Sequence, residues 1–256
     1  MTLLRSTALG FIASVAMMAD IGGAAAQDIG VKNIVLVHGA WADGSGWRPI
    51  YEILKKDGYN VRIVQNPLTS LEADVAATDR VLDRMDGPAI LVGHSYGGAV
   101  ISEAGDHDNV AGLVYVAAFV PEVGESTFGL IPQDPNNPPP FDIGKDGFAF
   151  FKEEAYVPGF ADALPAADAE FMRDSQVPIS VQGGSTPLTV AAWKTKPSWY
   201  QVAKGDHVIP PDAQRQMSAR AGSTVEEVEG GHLAFIANAA ATAALIETAA
   251  KAAAKK

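Results

Sequence analysis

Short apolar runs alternate along this chain with segments of helical period, and that alternation restricts the fold more than any other feature. Asn33-Ile-Val-Leu-Val37 reads as a buried strand that ends in the loop pair His38-Gly39. Trp47, Ile50, Tyr51 and Leu54 have helical spacing, and Asp57-Gly58 stops the helix over 47–56. A second strand follows at 60–64. Leu71, Val75, Thr78, Leu82 and Met85 then give a helix over 71–85, closed by Gly87-Pro88. A strand at 89–92, a helix at 97–104 and a strand at 110–118 continue the rhythm. It returns near the C-terminus as a strand (198–203), a helix (211–221), a strand (224–228) and an Ala-rich helix (238–255). Lys251, Lys255 and Lys256 suit the negative pole of that last helix. Strands that are apolar throughout must be covered on both faces. The pattern therefore predicts an α/β fold with a doubly wound, mostly parallel sheet.

Between 119 and 197 the rhythm breaks. This stretch holds Pro132, Pro135, Pro138-Pro139-Pro140 and most of the chain's phenylalanines: Phe119, Phe128, Phe141, Phe148, Phe150, Phe151, Phe160 and Phe171. A Phe-rich segment ordinarily reads as core. Here it interrupts a sheet that already has a core, and so long a loop inside a compact domain is usually functional, often a lid. The prediction is an inserted cap over an active site.

With 256 residues the chain makes one domain carrying that insertion, large enough to bury its core without staples. The chain has no Cys, which excludes disulfides, thiolate metal sites and a Cys nucleophile. A net charge of −11 excludes nucleic acid and anionic membranes as partners. Residues 1–26 read as a cleaved export signal: Arg5, an apolar run over 7–19, then Ala24-Ala25-Ala26 with Gln27 as the mature start. That run falls short of the roughly 20 residues a membrane span needs, and Asp20 ends it, so no stable membrane insertion is expected after cleavage. The mature domain is then 27–256, periplasmic or secreted. Its oligomeric state is not legible in the sequence.

Gly93-His94-Ser95-Tyr96-Gly97 matches G-x-S-x-G, a match that arises by chance about once in ten chains of this length. Its context is what counts. It follows the strand at 89–92 directly and opens a helix of small residues, the strand–turn–helix that a nucleophile elbow requires. A serine hydroxyl is too weak an acid to attack a carbonyl unaided, so it needs a base that a third group orients. Of the five His, His38 and His94 read as packers of their loops and His107 as solvated in a polar turn. His207 lies on the wrong side of its loop. His232 falls between the last strand and the last helix, where doubly wound sheets place their ligands, and is the predicted base. Asp206, the acid of the loop after the strand ending at Ala203, is the predicted orienting carboxylate. Asp212 reads as a favourable charge at a helix start, and Glu122 as a weaker substitute. The order Ser95, Asp206, His232 is that of the nucleophile-elbow hydrolases. The backbone N–H groups of Tyr96 and Ala40 are the predicted oxyanion donors. Trp41 and Trp47 read equally as pocket wall or as core.

With these residues assembled, the chain from about Asn33 onward resembles the α/β-hydrolase superfamily. It is closest to the branch of plant methylesterases, hydroxynitrile lyases and small bacterial esterases. Two stretches carry the resemblance: Val35-Leu-Val-His38-Gly39-Ala40-Trp41 with Gly44-Ser45-Gly46-Trp47, and Val114-Tyr-Val-Ala-Ala-Phe-Val-Pro121. Lyases of that branch carry Thr after the first-strand His and Lys after the catalytic His; here those positions are Gly39 and Leu233. Haloalkane dehalogenases carry Asp where this chain has Ser95. The resemblance therefore implies a serine hydrolase of carboxylic esters, working through an acyl-enzyme on a small, neutral, apolar ester, with no metal or organic cofactor. The same residues would serve a lactonase, thioesterase, amidase or C–C hydrolase, and a receptor-like protein binding its ligand under the cap is the alternative outside enzymes. Between Phe119 and Asp174 there are three bases and eleven acids, so most of the net charge belongs to the cap. Those acids read as a solvated exterior, or, if they face the entrance, as a filter against anionic esters.

Overall fold

A computed structural model describes residues 2, 30–131 and 138–254; apart from Thr2, the expected export signal lies outside the described residues. The first half of the chain runs β1 (Asn33–Val37), α1 (Arg48–Lys56), β2 (Asn60–Val64), α2 (Leu71–Leu82), β3 (Ala89–His94), α3 (Gly97–Ala104) and β4 (Val110–Val116). The cap region holds β5 (Phe141–Ile143), β6 (Phe148–Phe151), α4 (Glu153–Ala155), α5 (Ala166–Asp174), β7 (Ile179–Ser180) and α6 (Val181–Ser185). The second half runs β8 (Ser198–Ala203), α7 (Pro211–Arg220), β9 (Thr224–Val228), α8 (Ala234–Ala237) and α9 (Ala239–Ala253).

Six strands form one sheet in the order β2-β1-β3-β4-β8-β9, and every pairing in it is parallel. The interior strands β1, β3 and β8 are buried along their whole length, as continuous apolar runs demand. At one edge, β9 leaves Thr224 to Glu227 exposed, and its two glutamates keep that edge from recruiting another strand. α1 packs against α9 and α2 against α3, a helix pair for each face. The chain moves from β1 outward to β2 and returns past β1 to β3. The sheet therefore reverses direction between β1 and β3, and their carboxyl ends open the crevice where such sheets bind ligands. Ser95 and the loop 38–41 both sit there.

Three element boundaries differ from expectation, each for a local reason. The helix predicted to run to Met85 ends at Leu82, because the Arg84 and Met85 amides tighten onto the Val81 and Leu82 carbonyls. β4 stops at Val116 instead of 118, where Ala117 turns into the left-handed region at φ +43°. β3 runs on to His94 instead of ending at 92, because Gly93 and His94 still pair with Tyr115 and Val116 of β4.

The cap is more regular than a Pro-rich loop suggests. β5, β6 and β7 form a small antiparallel sheet. Phe151, Phe160 and Tyr156 are fully buried beneath it, while Phe150 and Phe171 are exposed. The Phe-rich composition thus gives the cap a core of its own. Asp142, Asp146, Glu153, Glu154, Asp162, Asp168, Glu170 and Asp174 all face outward.

Candidate active site

The sharp turn after β3 forces Ser95 into the left-handed region at φ +55°, a conformation held by its surroundings. The Ser95 carbonyl accepts the Gly98 and Phe119 N–H groups at 2.9 and 3.1 Å. Gly93 is needed because the chain doubles back on itself: a Cβ there would lie 2.5 Å from the Gly97 carbonyl oxygen. The turn lifts the serine side chain out of the sheet toward two other loops.

His232, in the loop after β9, meets it. Ser95 Oγ lies 2.9 Å from His232 Nε2, and His232 Nδ1 lies 2.8 Å from Asp206 Oδ2 in the loop after β8. All three residues are buried. The Asp206 carboxylate can only accept, so Nδ1 carries the proton and Nε2 is left to accept from the serine hydroxyl. Asp206 is itself fixed. Oδ1 accepts the Val208 and Ile209 N–H groups at 2.7 and 2.9 Å, and Oδ2 also accepts Gln214 Nε2–H at 2.8 Å. Ser95, Asp206 and His232, chosen from the sequence, are thus brought together in one hydrogen-bonded chain.

None of the other histidine rings joins the Ser95–His232–Asp206 chain. His94 donates Nε2–H to the His232 carbonyl at 3.0 Å, its ring 4.7 Å from that of His232. Burial, and then the neighbouring His232, hold its pKa well below the ordinary value, so the ring beside His232 stays neutral. His38 packs its loop as expected: Nε2 accepts the Asn66 N–H and Nδ1 meets the Gly39 carbonyl. His207 is exposed. His107 departs from the solvated role expected of it, being half-buried between the Asp83 carboxylate and the Asn109 N–H. Glu122 pairs with Lys194 and Asp212 with Arg215, so neither substitutes for Asp206.

Ala40, Trp41, Ser95 and Tyr96 line one slot, which Phe119, Phe128, Phe141, Phe151 and Val208 continue upward beneath Pro139 and Pro140. None of its lining residues is charged, and among the described residues the acids of the cap stay outside it. Trp41 is slot wall, whereas Trp47 is core, fully buried 4.6 Å from the Phe235 ring. The Trp41 N–H is taken by the Val177 carbonyl at 3.0 Å, and Ala40 and Tyr96, whose amides are the predicted oxyanion donors, line the slot beside Ser95.

The sequence profile of the alpha/beta hydrolase family matches residues 34–245. The chain belongs to that family. It is similar to the pyrethroid hydrolase of Sphingobium wenxiniae, 30% identical over 216 residues that span 73% of this chain and 75% of that protein. It is also similar to a carbendazim-hydrolysing esterase of a Nocardioides species, 35% identical over 118 residues, 40% of this chain and 48% of the esterase. Among solved structures it resembles a pyrethroid hydrolase at 26% identity and a TM-score of 0.75, over 87% of this chain and 98% of that one.

Two buried polar residues beside this hydrolase site were not foreseen. Gln214 on α7 holds Asp206 and also donates to the Ile209 carbonyl at 2.7 Å while accepting the Ala203 N–H. Its signal was present: 214, 217 and 218 share the buried face of a helix, and a polar member of such a face needs partners. Asp74 on α2 lies three residues after Leu71 and four before Thr78, at the margin of the predicted apolar stripe, and is fully buried. It accepts the Leu68 N–H and the Tyr96 O–H, each at 2.8 Å, tying the residue after Ser95 to a neighbouring helix.

Burial pushes the Asp74 carboxyl up to about 6, with the Tyr96 and Leu68 hydrogen bonds offsetting part of the rise. Because this folded value exceeds the ordinary 3.8, the native state holds the proton more tightly than the unfolded chain. The associated stability is therefore full below the ordinary value and is lost as pH rises through about 6. A shift of this size corresponds to about 3 kcal/mol. Asp74→Asn keeps the shape and cannot titrate. Urea unfolding of both proteins from about pH 4 to about pH 8 should show wild type losing roughly that much relative to the variant. Parallel pH profiles would contradict the assignment.

Proposed function

We propose that the protein is a serine hydrolase of carboxylic esters. The observation that carries this reading is the hydrogen-bonded run Ser95–His232–Asp206 at the foot of an uncharged, aromatic slot. Ser95 Oγ attacks the ester carbonyl as His232 Nε2 takes its proton, and Asp206 keeps the imidazole in the tautomer that can do so. The Ala40 and Tyr96 amides stabilise the oxyanion of the tetrahedral intermediate. His232 then returns the proton to the departing alkoxide, leaving an acyl group on Ser95. A water that gives its proton to His232 attacks this acyl-enzyme, and the acid leaves as Ser95 recovers its hydrogen. Every step is proton transfer and acyl exchange among these groups.

The uncharged aromatic walls suit neutral, apolar esters, and two relatives carry names of esterases or hydrolases acting on carbendazim and pyrethroids. We further propose an exported enzyme that starts at Gln27, periplasmic or secreted. The mass of protein recovered from a native-like host would reveal a chain that keeps residues 1–26.

A fluorophosphonate probe, with p-nitrophenyl esters of increasing acyl length, tests the central reading. A covalent adduct on the peptide carrying Ser95, together with turnover of the esters, is expected. Ligand held under the cap with no adduct and no turnover would instead make this a binding protein.

A further inference from the structure

We infer that the cap sets the geometry of the oxyanion loop from above, with the Tyr156 hydroxyl as the positioning group that holds the Ala40 amide through the Trp41 backbone. The inference rests on the serine-hydrolase reading and adds to it a residue 61 positions beyond the nucleophile, outside the sheet and its loops.

Trp41 directly follows Ala40 and is held at φ +58°, a region that non-glycine residues with large side chains rarely occupy. Something must hold it there. Its carbonyl accepts the Tyr156 O–H at 2.8 Å, its N–H donates to the Val177 carbonyl at 3.0 Å, and its indole N–H donates to the Ala149 carbonyl at 2.9 Å. All three partners belong to the cap: Ala149 on β6, Tyr156 after α4, and Val177 before β7. The Trp41 ring also meets Phe151 and Phe160 edge-on, at 5.3 and 6.3 Å.

The consequence for Ala40 follows from backbone geometry. The bonds to Val177 and Tyr156 fix the peptide planes on both sides of the Trp41 Cα. The first of these planes is shared with Ala40, so its orientation sets that residue's ψ and the direction of the chain entering the slot. Tyr156 holds the second plane, that of the 41–42 peptide; without its bond this peptide can turn, Trp41 can leave the left-handed region, and the loop through Ala40 readjusts to the change at Trp41. The Ala40 N–H then no longer points where the oxyanion forms. The donor matters only once charge has developed on the carbonyl oxygen, so its displacement acts on the transition state and leaves the bound ester nearly untouched.

Tyr156 is buried against Phe151 and Phe160, with ring centroids 5.6 and 4.7 Å away. Burial pushes its phenol well above the ordinary tyrosine range, so it remains a hydrogen-bond donor at any pH at which the enzyme would work. Tyr156→Phe deletes the hydroxyl and keeps the packed ring.

The test uses the full chain and a short p-nitrophenyl ester. Tyr156→Phe should lower kcat about tenfold with KM changed less than about twofold, the scale expected when a preorganised donor is misplaced without being lost. Affinity for a trifluoromethyl ketone, which forms a tetrahedral oxyanion adduct on serine, should fall by the same factor. Inhibition by the product alcohol should be unchanged, and the pH–rate profile should keep its shape. Unchanged kinetics would overturn the inference. So would a rise in KM at constant kcat, or equal weakening of both inhibitors, since either would make Tyr156 only part of the slot wall. Failure of the underlying reading looks different: wild type itself would neither turn over the ester nor be labelled at Ser95.

Discussion

Replacing Ser95 by alanine will lower kcat for a p-nitrophenyl ester by roughly 10⁴- to 10⁶-fold, and removing His232 as well will lower it little further. The reason lies in the single hydrogen-bonded chain. His232 Nε2 has Ser95 Oγ as its partner at 2.9 Å, and without that nucleophile the base has no proton to take. Groups that act as one unit lose their joint contribution once, whichever member goes first. Asp206→Asn should fall near 10⁴-fold, because an amide at that place can offer its N–H to His232 Nδ1 and stabilise the wrong tautomer. The residual rate would be the work of the backbone amides at Ala40 and Tyr96, which these substitutions leave in place. Steady-state kinetics on the two single variants and the double variant decide the matter. If the losses for Ser95→Ala and His232→Ala multiply, the two side chains act independently and the mechanism proposed above is wrong.

Gly98→Ala is expected to destabilise the fold by about 3 kcal/mol or more. Gly98 is in the first turn of α3, where that helix leans on the chain leaving β4. A Cβ there would fall 2.1 Å from the Phe119 carbonyl oxygen and 2.9 Å from the Ala118 Cβ. Phe119 cannot withdraw cheaply, because its N–H is already bonded to the Ser95 carbonyl at 3.1 Å. One methyl group would therefore push on the elbow and on the end of β4 together. Urea unfolding measures the loss, and a midpoint close to that of wild type would mean that the helix can slide where the packing says it cannot.

The alternation of apolar runs and helical periods carried most of the central sheet, since continuous burial of β1, β3 and β8 has no other economical reading. Ser95, Asp206 and His232 were legible for a related reason: each lies in a loop that follows a recognisable strand. Gln214 and Asp74 were harder, because a polar residue inside a helix looks solvated until the partner that buries it is known. Asp74 owes its burial to Tyr96 and Leu68, neither of them adjacent in sequence. Within the cap, proline and phenylalanine content marked where the alternation breaks but gave no strand register. β5, β6 and β7 are short, and their pairing depends on contacts as distant as Ala149 with Ile179. The left-handed residues Trp41 and Ala117 were invisible because neither is the glycine or asparagine that ordinarily marks such a turn.

The pairing of β4 with β8 also orders events in time. These strands are neighbours in space, Leu113 beside Ser198, although the whole cap intervenes in the chain. Ser95 belongs to the half made before the cap and His232 to the half made after, 137 residues later. Closing so long a loop is slow compared with forming the local turns and helices of either half. A refolding chain should therefore recover its helical ellipticity before its activity, and simultaneous recovery would show that the halves dock as fast as they fold. A chain halted within the cap would hold Ser95 without His232 beside it, so the proposed catalysis would begin only when the last strand arrives.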